Sequence, residues 1–121
     1  GDTIGVGHPD LVYEVIQKIK GHYDLKNIAM HFHDTRAMAL ANILASLQNG
    51  ITSFDSSAGG LGGCPYAVGS SGNVGTEDVL NLLHSMGYET GIDMEKLFLA
   101  SDFILKKFLG GKKCLNIFNL E

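Results

Sequence analysis

Apolar and polar positions along the chain fall into a repeating rhythm. In residues 8–20, HPDLVYEVIQKIK, the residues Leu11, Val12, Val15, Ile16 and Ile19 make one stripe of a helix. Pro9 suits its first position, where a backbone N–H would lack a partner anyway. Asp10 complements the positive end, Lys18 and Lys20 the negative end, and Gly21 stops it. Residues 27–33, NIAMHFH, alternate instead. Ile28, Met30 and Phe32 share one face of a strand, and Ala29, His31 and His33 share the other. The spacing predicts a second helix from about Arg36 to Gln48, with Leu40, Ile43, Leu44 and Leu47 on its buried side and Gly50 as its stop. Residues 51–56, ITSFDS, read as a second strand. Residues 59–75 hold seven glycines in seventeen positions and are expected to form a loop. A third helix is predicted from Thr76, as its cap, to Met86, with Glu77 and Asp78 in the first turn. A fourth runs from Met94 to Leu109 behind the cap Asp93.

Helix, strand, helix, strand is the βαβ rhythm of a parallel sheet with right-handed crossovers. Only two complete strands are present, plus the exit of a possible third at residues 1–4, and an isolated two-stranded arrangement is marginal. The expected fold class is therefore α/β. Residues 1–109 are expected to form the C-terminal part of a (β/α)8 barrel, two to three βα units of a fold that takes about 250 residues. Residues 110–121 are expected to be a poorly ordered tail. The chain opens without a methionine, inside what looks like a motif, and so reads as part of something longer.

Composition narrows the function classes. The 121 residues carry a net charge of −4, so no cationic surplus exists to hold nucleic-acid phosphates. No apolar run approaches the roughly 18 residues of a membrane span. GDTIGVGHPD lacks the zones of a secretory signal, and two cysteines, Cys64 and Cys114, make no disulfide framework. A reducing compartment, cytoplasm or mitochondrial matrix, is expected, with no secretion, no membrane and no nucleic-acid partner.

Candidate chemistry gathers where strands end. His31 and His33, two residues apart, point the same way, and two imidazoles at the C-terminal rim of a barrel suit a divalent cation. The plainer reading makes them satisfied core histidines. Cys64 lies among Gly59, Gly60, Gly62 and Gly63, whose lack of side chains lets backbone approach a ligand closely. A thiol in such a loop can serve as acid, base or nucleophile, or be incidental. A dinucleotide fingerprint fails there, because Pro65 replaces a glycine and no helix follows. Asn73 offers a hard amide oxygen, although among Gly and Ser it is also a turn former. Asp2 can act as a base or orient a ligand. Asp34 and Asp55 suit capping or orienting roles at strand ends, and His8, His22 and His84 fall on surfaces.

Taken together, GDTIGVG (1–7), HFHDT (31–35), ALAN (39–42), GLGGCPYA (60–67) and SGN with TED (71–78) resemble the 3-hydroxy-3-methylglutaryl-CoA lyase family. The resemblance runs from residue 1 to about 109. The His-x-His-Asp element is shared with a wider group of metal-dependent aldolases, carboxyltransferases and acyl-CoA synthases, and GLGGCPYA is the discriminating piece. The resemblance implies a metal-dependent retro-Claisen cleavage of a CoA-thioester substrate, giving acetyl-CoA and acetoacetate with Mg2+ or Mn2+ as cofactor. It implies His31, His33 and Asn73 as metal ligands, Asp2 as a catalytic acid/base residue and Cys64 as proton donor to the nascent enolate. His31 would lie beside the reacting atoms, and Asp34, Gly62 and Gly63 would support the ligands and the loop. The family's Arg-Asp pair from the first strand has no counterpart here. The isolated chain is therefore expected to be inactive, with neutral ligands only. The rivals are another member of that metal-dependent group and a non-catalytic metal-binding module whose open strand edges pair between copies. Edge exposure predicts a homo-oligomer under either reading.

Overall fold

The structure, a computed structural model, describes residues 2–62 and 72–109. Helix α1 (Pro9–Ile19) opens with Pro9 in its first turn and His8 as its cap, the His8 Nδ1 accepting from the Leu11 N–H at 3.4 Å. Sequence reading had left His8 without a task. A 3-10 turn, Leu25–Asn27, begins at Asp24, whose carboxylate accepts the Lys26 N–H at 3.1 Å. Strand β1 (Ala29–His31) is shorter than the expected 27–33, because Asn27 belongs to that turn and His33 leaves the sheet to pair elsewhere.

Helix α2 (Ala39–Gln48) starts three residues later than expected. Ala37 sits at φ 55°, in the left-handed region that breaks a helix for any residue with a Cβ. Strand β2 (Ser53–Asp55), helix α3 (Thr76–Ser85) and helix α4 (Met94–Leu109) complete the described elements. The cap of α3 is Gly75 rather than Thr76. Thr76 is the first helical residue, and its hydroxyl pairs with that of Ser56 at 2.9 Å. Asp93 does cap α4, its carboxylate accepting the Lys96 N–H at 3.2 Å.

Strands β1 and β2 pair in parallel, with Ala29 opposite Ser53, Met30 opposite Phe54 and His31 opposite Asp55. Met30, Phe32 and Phe54 turn toward the helices. There Val12, Ile16, Ala39, Ile43, Ile51, Val74 and Val79 form the core. The opposite face carries His31 and Asp55. The expected stripes need two corrections. On α1 only Val12 and Ile16 are buried, while Leu11 and Val15 stay 42% exposed, because α1 rests one side on α2. On α2 the fully buried line is Ala39, Asn42, Ile43 and Ser46, and Leu40, Leu44 and Leu47 are only half-buried. Two of those buried residues are polar, so apolar periodicity could not find them. Each donates to backbone: Asn42 Nδ2 to the Gly7 carbonyl at 3.1 Å, and Ser46 Oγ to the Asn42 carbonyl at 2.8 Å, while Asn42 Oδ1 has no hydrogen-bond partner among the described residues.

The C-terminal helix packs on the turn Ala58–Gly60. Leu105 is buried there, and a Cβ on Gly59 would come within 3.2 Å of its side chain. Glu77 on α3 accepts the Gly59 N–H with both carboxylate oxygens, at 3.0 and 3.1 Å, and takes a hydrogen bond from the buried Ser101 hydroxyl of α4. No described helix is long and apolar enough to cross a membrane. The expected tail at 110–121 lies outside the described residues.

Candidate functional site

The site forms where β1 and β2 run out, on the face away from the helical core. The β1 strand delivers His31 at its last position. Phe32 then buries itself in the core and swings His33 back beside its neighbour. The two imidazole rings lie 5.0 Å apart, edge to face at 67°. His33 bridges to Asn73, and the Asp34 N–H donates to the Gly72 carbonyl at 2.8 Å, so the residues after β1 pair with the far end of the glycine segment.

Asn73 is held from its other side by Leu61 and Gly62. Its N–H donates to the Gly62 carbonyl at 3.1 Å and its Nδ2 to the Leu61 carbonyl at 3.0 Å, which leaves Oδ1 as the amide's accepting end. Gly62 has φ +106°, and a Cβ there would fall 2.6 Å from Asn73 Nδ2. The sequence pointed to close approach of a ligand at this glycine; the group the structure sets against it is the Asn73 amide.

Asp2 joins the same cluster through its backbone N–H, which donates to the His31 carbonyl at 3.3 Å. Its Oδ1 accepts from the Val6 and Gly7 N–H groups at 2.9 and 3.1 Å, whereas Oδ2 is buried with no hydrogen-bond partner among the described residues. One oxygen thus builds the 2–7 turn, and the other has no partner among the described residues. Asp34 takes the Ala39 N–H on its Oδ1 at 3.0 Å, the capping role expected of it. Asp55 faces His31 across the parallel pair, Oδ2 to Nδ1 3.9 Å. Cys64 and Gly63 lie outside the described residues, as does Cys114.

Sequence reasoning missed one titrating group. The Asp78 carboxyl is pushed above the usual aspartate range, first by desolvation and then by the negative charges of Glu77 and Asp34. Its position in the first turn of α3 already accounted for an acid there through the helix dipole. Nothing in the pattern flagged its nearness to Asp34.

His33 Nδ1 is buried with no partner among the described residues, a cost that a bound cation or a proton acceptor would relieve. Among the described residues no three His, Cys, Asp or Glu side chains converge on one point. The two imidazoles and the Asn73 amide oxygen are neutral donors. They fit a borderline divalent ion whose remaining donors come from other groups.

The HMGL-like family model matches residues 1–104. The mitochondrial hydroxymethylglutaryl-CoA lyase of Arabidopsis thaliana is 53% identical over 106 residues, 88% of this chain and 23% of that protein. The crystal structure of the HMG-CoA lyase of Bacillus subtilis superposes with a TM-score of 0.86 at 51% identity, covering 88% of this chain and 36% of that one. An HMG-CoA lyase from Acenitobacter baumannii in complex with coenzyme A and 3-methylmalate gives 0.83 at 36% identity, covering 94% and 37%. The helices and the small parallel sheet thus match one part of a TIM barrel, and the chain spans 23–36% of the length of the first curated relatives it matches.

Proposed function

The chain belongs to the HMGL-like family, and from that premise we propose that it carries the metal- and proton-handling part of a 3-hydroxy-3-methylglutaryl-CoA lyase. The observation that carries this reading is the meeting of His31, His33 and Asn73 at the strand ends, with Asp2 bonded to the same backbone. The substrate class is a CoA thioester, in keeping with the coenzyme A bound by the Acenitobacter baumannii protein.

His31, His33 and the Asn73 amide oxygen would hold a divalent ion, Mg2+ or Mn2+. Such an ion, when bound, acts as Lewis acid and template for the hydroxyl and carbonyl oxygens of the substrate. Asp2 takes the tertiary hydroxyl proton on Oδ2, the oxygen that the 2–7 turn does not use. As the oxygen electrons form the new carbonyl of acetoacetate, the carbon–carbon bond breaks and its pair passes to the thioester enolate. Cys64 gives that carbon a proton, releasing acetyl-CoA. Gly62 and Gly63 let the loop approach, and Asp34 fixes the turn behind His33. The protein works in a reducing compartment, the cytoplasm or the mitochondrial matrix, and as a homo-oligomer.

The test is acetoacetate release from the thioester with Mn2+, in a protein that carries this chain within a complete barrel. Cys64→Ala or His33→Ala should lower the rate by about 10²–10⁴-fold. Wild-type turnover in either variant overturns the role assignment, and turnover by the isolated 121-residue chain overturns its predicted inactivity.

A further inference from the structure

We propose that Asp55 is a positioning residue for His31, fixing which ring nitrogen carries the proton; this rests on His31 being a metal ligand. The parallel register seats Asp55 directly beside His31 on the exposed face, while Met30 and Phe54, one residue back, lock the same register from the core side. The Asp55 Oδ2 stands 3.9 Å from His31 Nδ1, an ion-pair distance beyond a direct hydrogen bond. Among the described residues that carboxylate has no other ion-pair or hydrogen-bond partner. The His33 ring meets His31 edge to face, 5.0 Å between centroids.

The chemistry follows from the donor inventory. An ionised carboxylate only accepts, so it favours the His31 tautomer with the proton on Nδ1 and presents the Nε2 lone pair to the site. Free imidazole side chains favour the opposite form. Carboxylates behind ligating histidines serve this purpose in many metal sites, fixing both ring orientation and basicity. Asp55 reaches the position by strand pairing, and the 3-10 turn that follows takes Ser57, not Asp55, as its cap.

The experiment uses the whole chain labelled with 15N and reads the ring nitrogens of His31 by two-bond 1H–15N correlation. It is run about two pH units above the ordinary histidine pKa of about 6.5. Wild type should show the proton on Nδ1, Asp55→Asn should retain it through its amide oxygen, and Asp55→Ala should move it to Nε2. The same tautomer in Asp55→Ala as in wild type overturns the proposal. Mn2+ titration adds a second readout: Asp55→Ala should weaken binding by about 10- to 100-fold while Asp55→Asn stays near wild type. Equal loss in both variants would make Asp55 a ligand instead and also overturn it. Unchanged Mn2+ binding in His31→Ala would overturn the ligand reading, whatever the tautomer shows.

Discussion

Asn73 keeps its place because Gly62 has no side chain. Gly62→Ala would put a methyl group 2.6 Å from the asparagine amide on a backbone at φ +106°. It should cost about 1–3 kcal/mol in urea unfolding and lower Mn2+ affinity at least tenfold. Gly21→Ala, with nothing within 4 Å of its Cβ, should leave Mn2+ binding unchanged. His31 and His33 stood out in the chain as a same-face pair at a strand end, whereas Asn73, among Gly and Ser, was singled out by the family resemblance. The clamp on Asn73 was not, since it consists of carbonyls from Leu61 and Gly62 that carry no sequence signature. Asp78 was equally hidden, its shift arising from burial and from charges that meet only in the fold. A folded-state pKa raised above the unfolded value means that its contribution to stability is present at low pH and lost as pH rises through the folded pKa. Asp78→Asn should therefore be more stable than wild type at neutral pH, the difference fading as pH falls through the raised folded-state pKa and gone below the ordinary aspartate value of about 3.9. Urea midpoints at neutral and acidic pH measure it, and a difference that grows on acidification would contradict the shift.

Helix positions followed from periodicity, whereas helix starts depended on single residues. The onset of α1 at Pro9 was readable because proline fixes its own geometry, but Ala37 gives no hint that it adopts a left-handed backbone ahead of α2. The buried face of α2 hides two polar side chains for the same reason that they are tolerated, namely that each bonds to a backbone carbonyl. Asn42→Leu should strand the Gly7 carbonyl and cost about 1–3 kcal/mol, with a lower melting temperature as the readout. Ile43→Ala, at a fully buried position, should cost about 2–5 kcal/mol by the same measurement. If the asparagine variant melts like wild type, the 2–7 turn does not depend on α2.

At the scale of the whole chain, the described residues hold a sheet of only two strands, and large apolar side chains stand open, Leu99 at 70% and Phe103 at 64% exposure. Concentration-dependent self-association should follow, visible by sedimentation across the micromolar range, and a strict monomer throughout would argue against open edges as drivers of assembly. The parallel order of β1 and β2 was legible from the βαβ rhythm. The bridge from His33 to Asn73 was not, since it joins residues forty positions apart through a segment without periodicity. That bridge leans on something further away. The turn Ala58–Gly60, held by Glu77, which Ser101 of α4 bonds, and pressed by Leu105 of α4, runs straight into Leu61 and Gly62, whose carbonyls grip Asn73. Helix α4 is thus a strut that acts on Asn73 through the Ala58–Gly60 turn. Fraying it from its far end should slacken the asparagine first, so cation affinity becomes a gauge of how firmly α4 is seated.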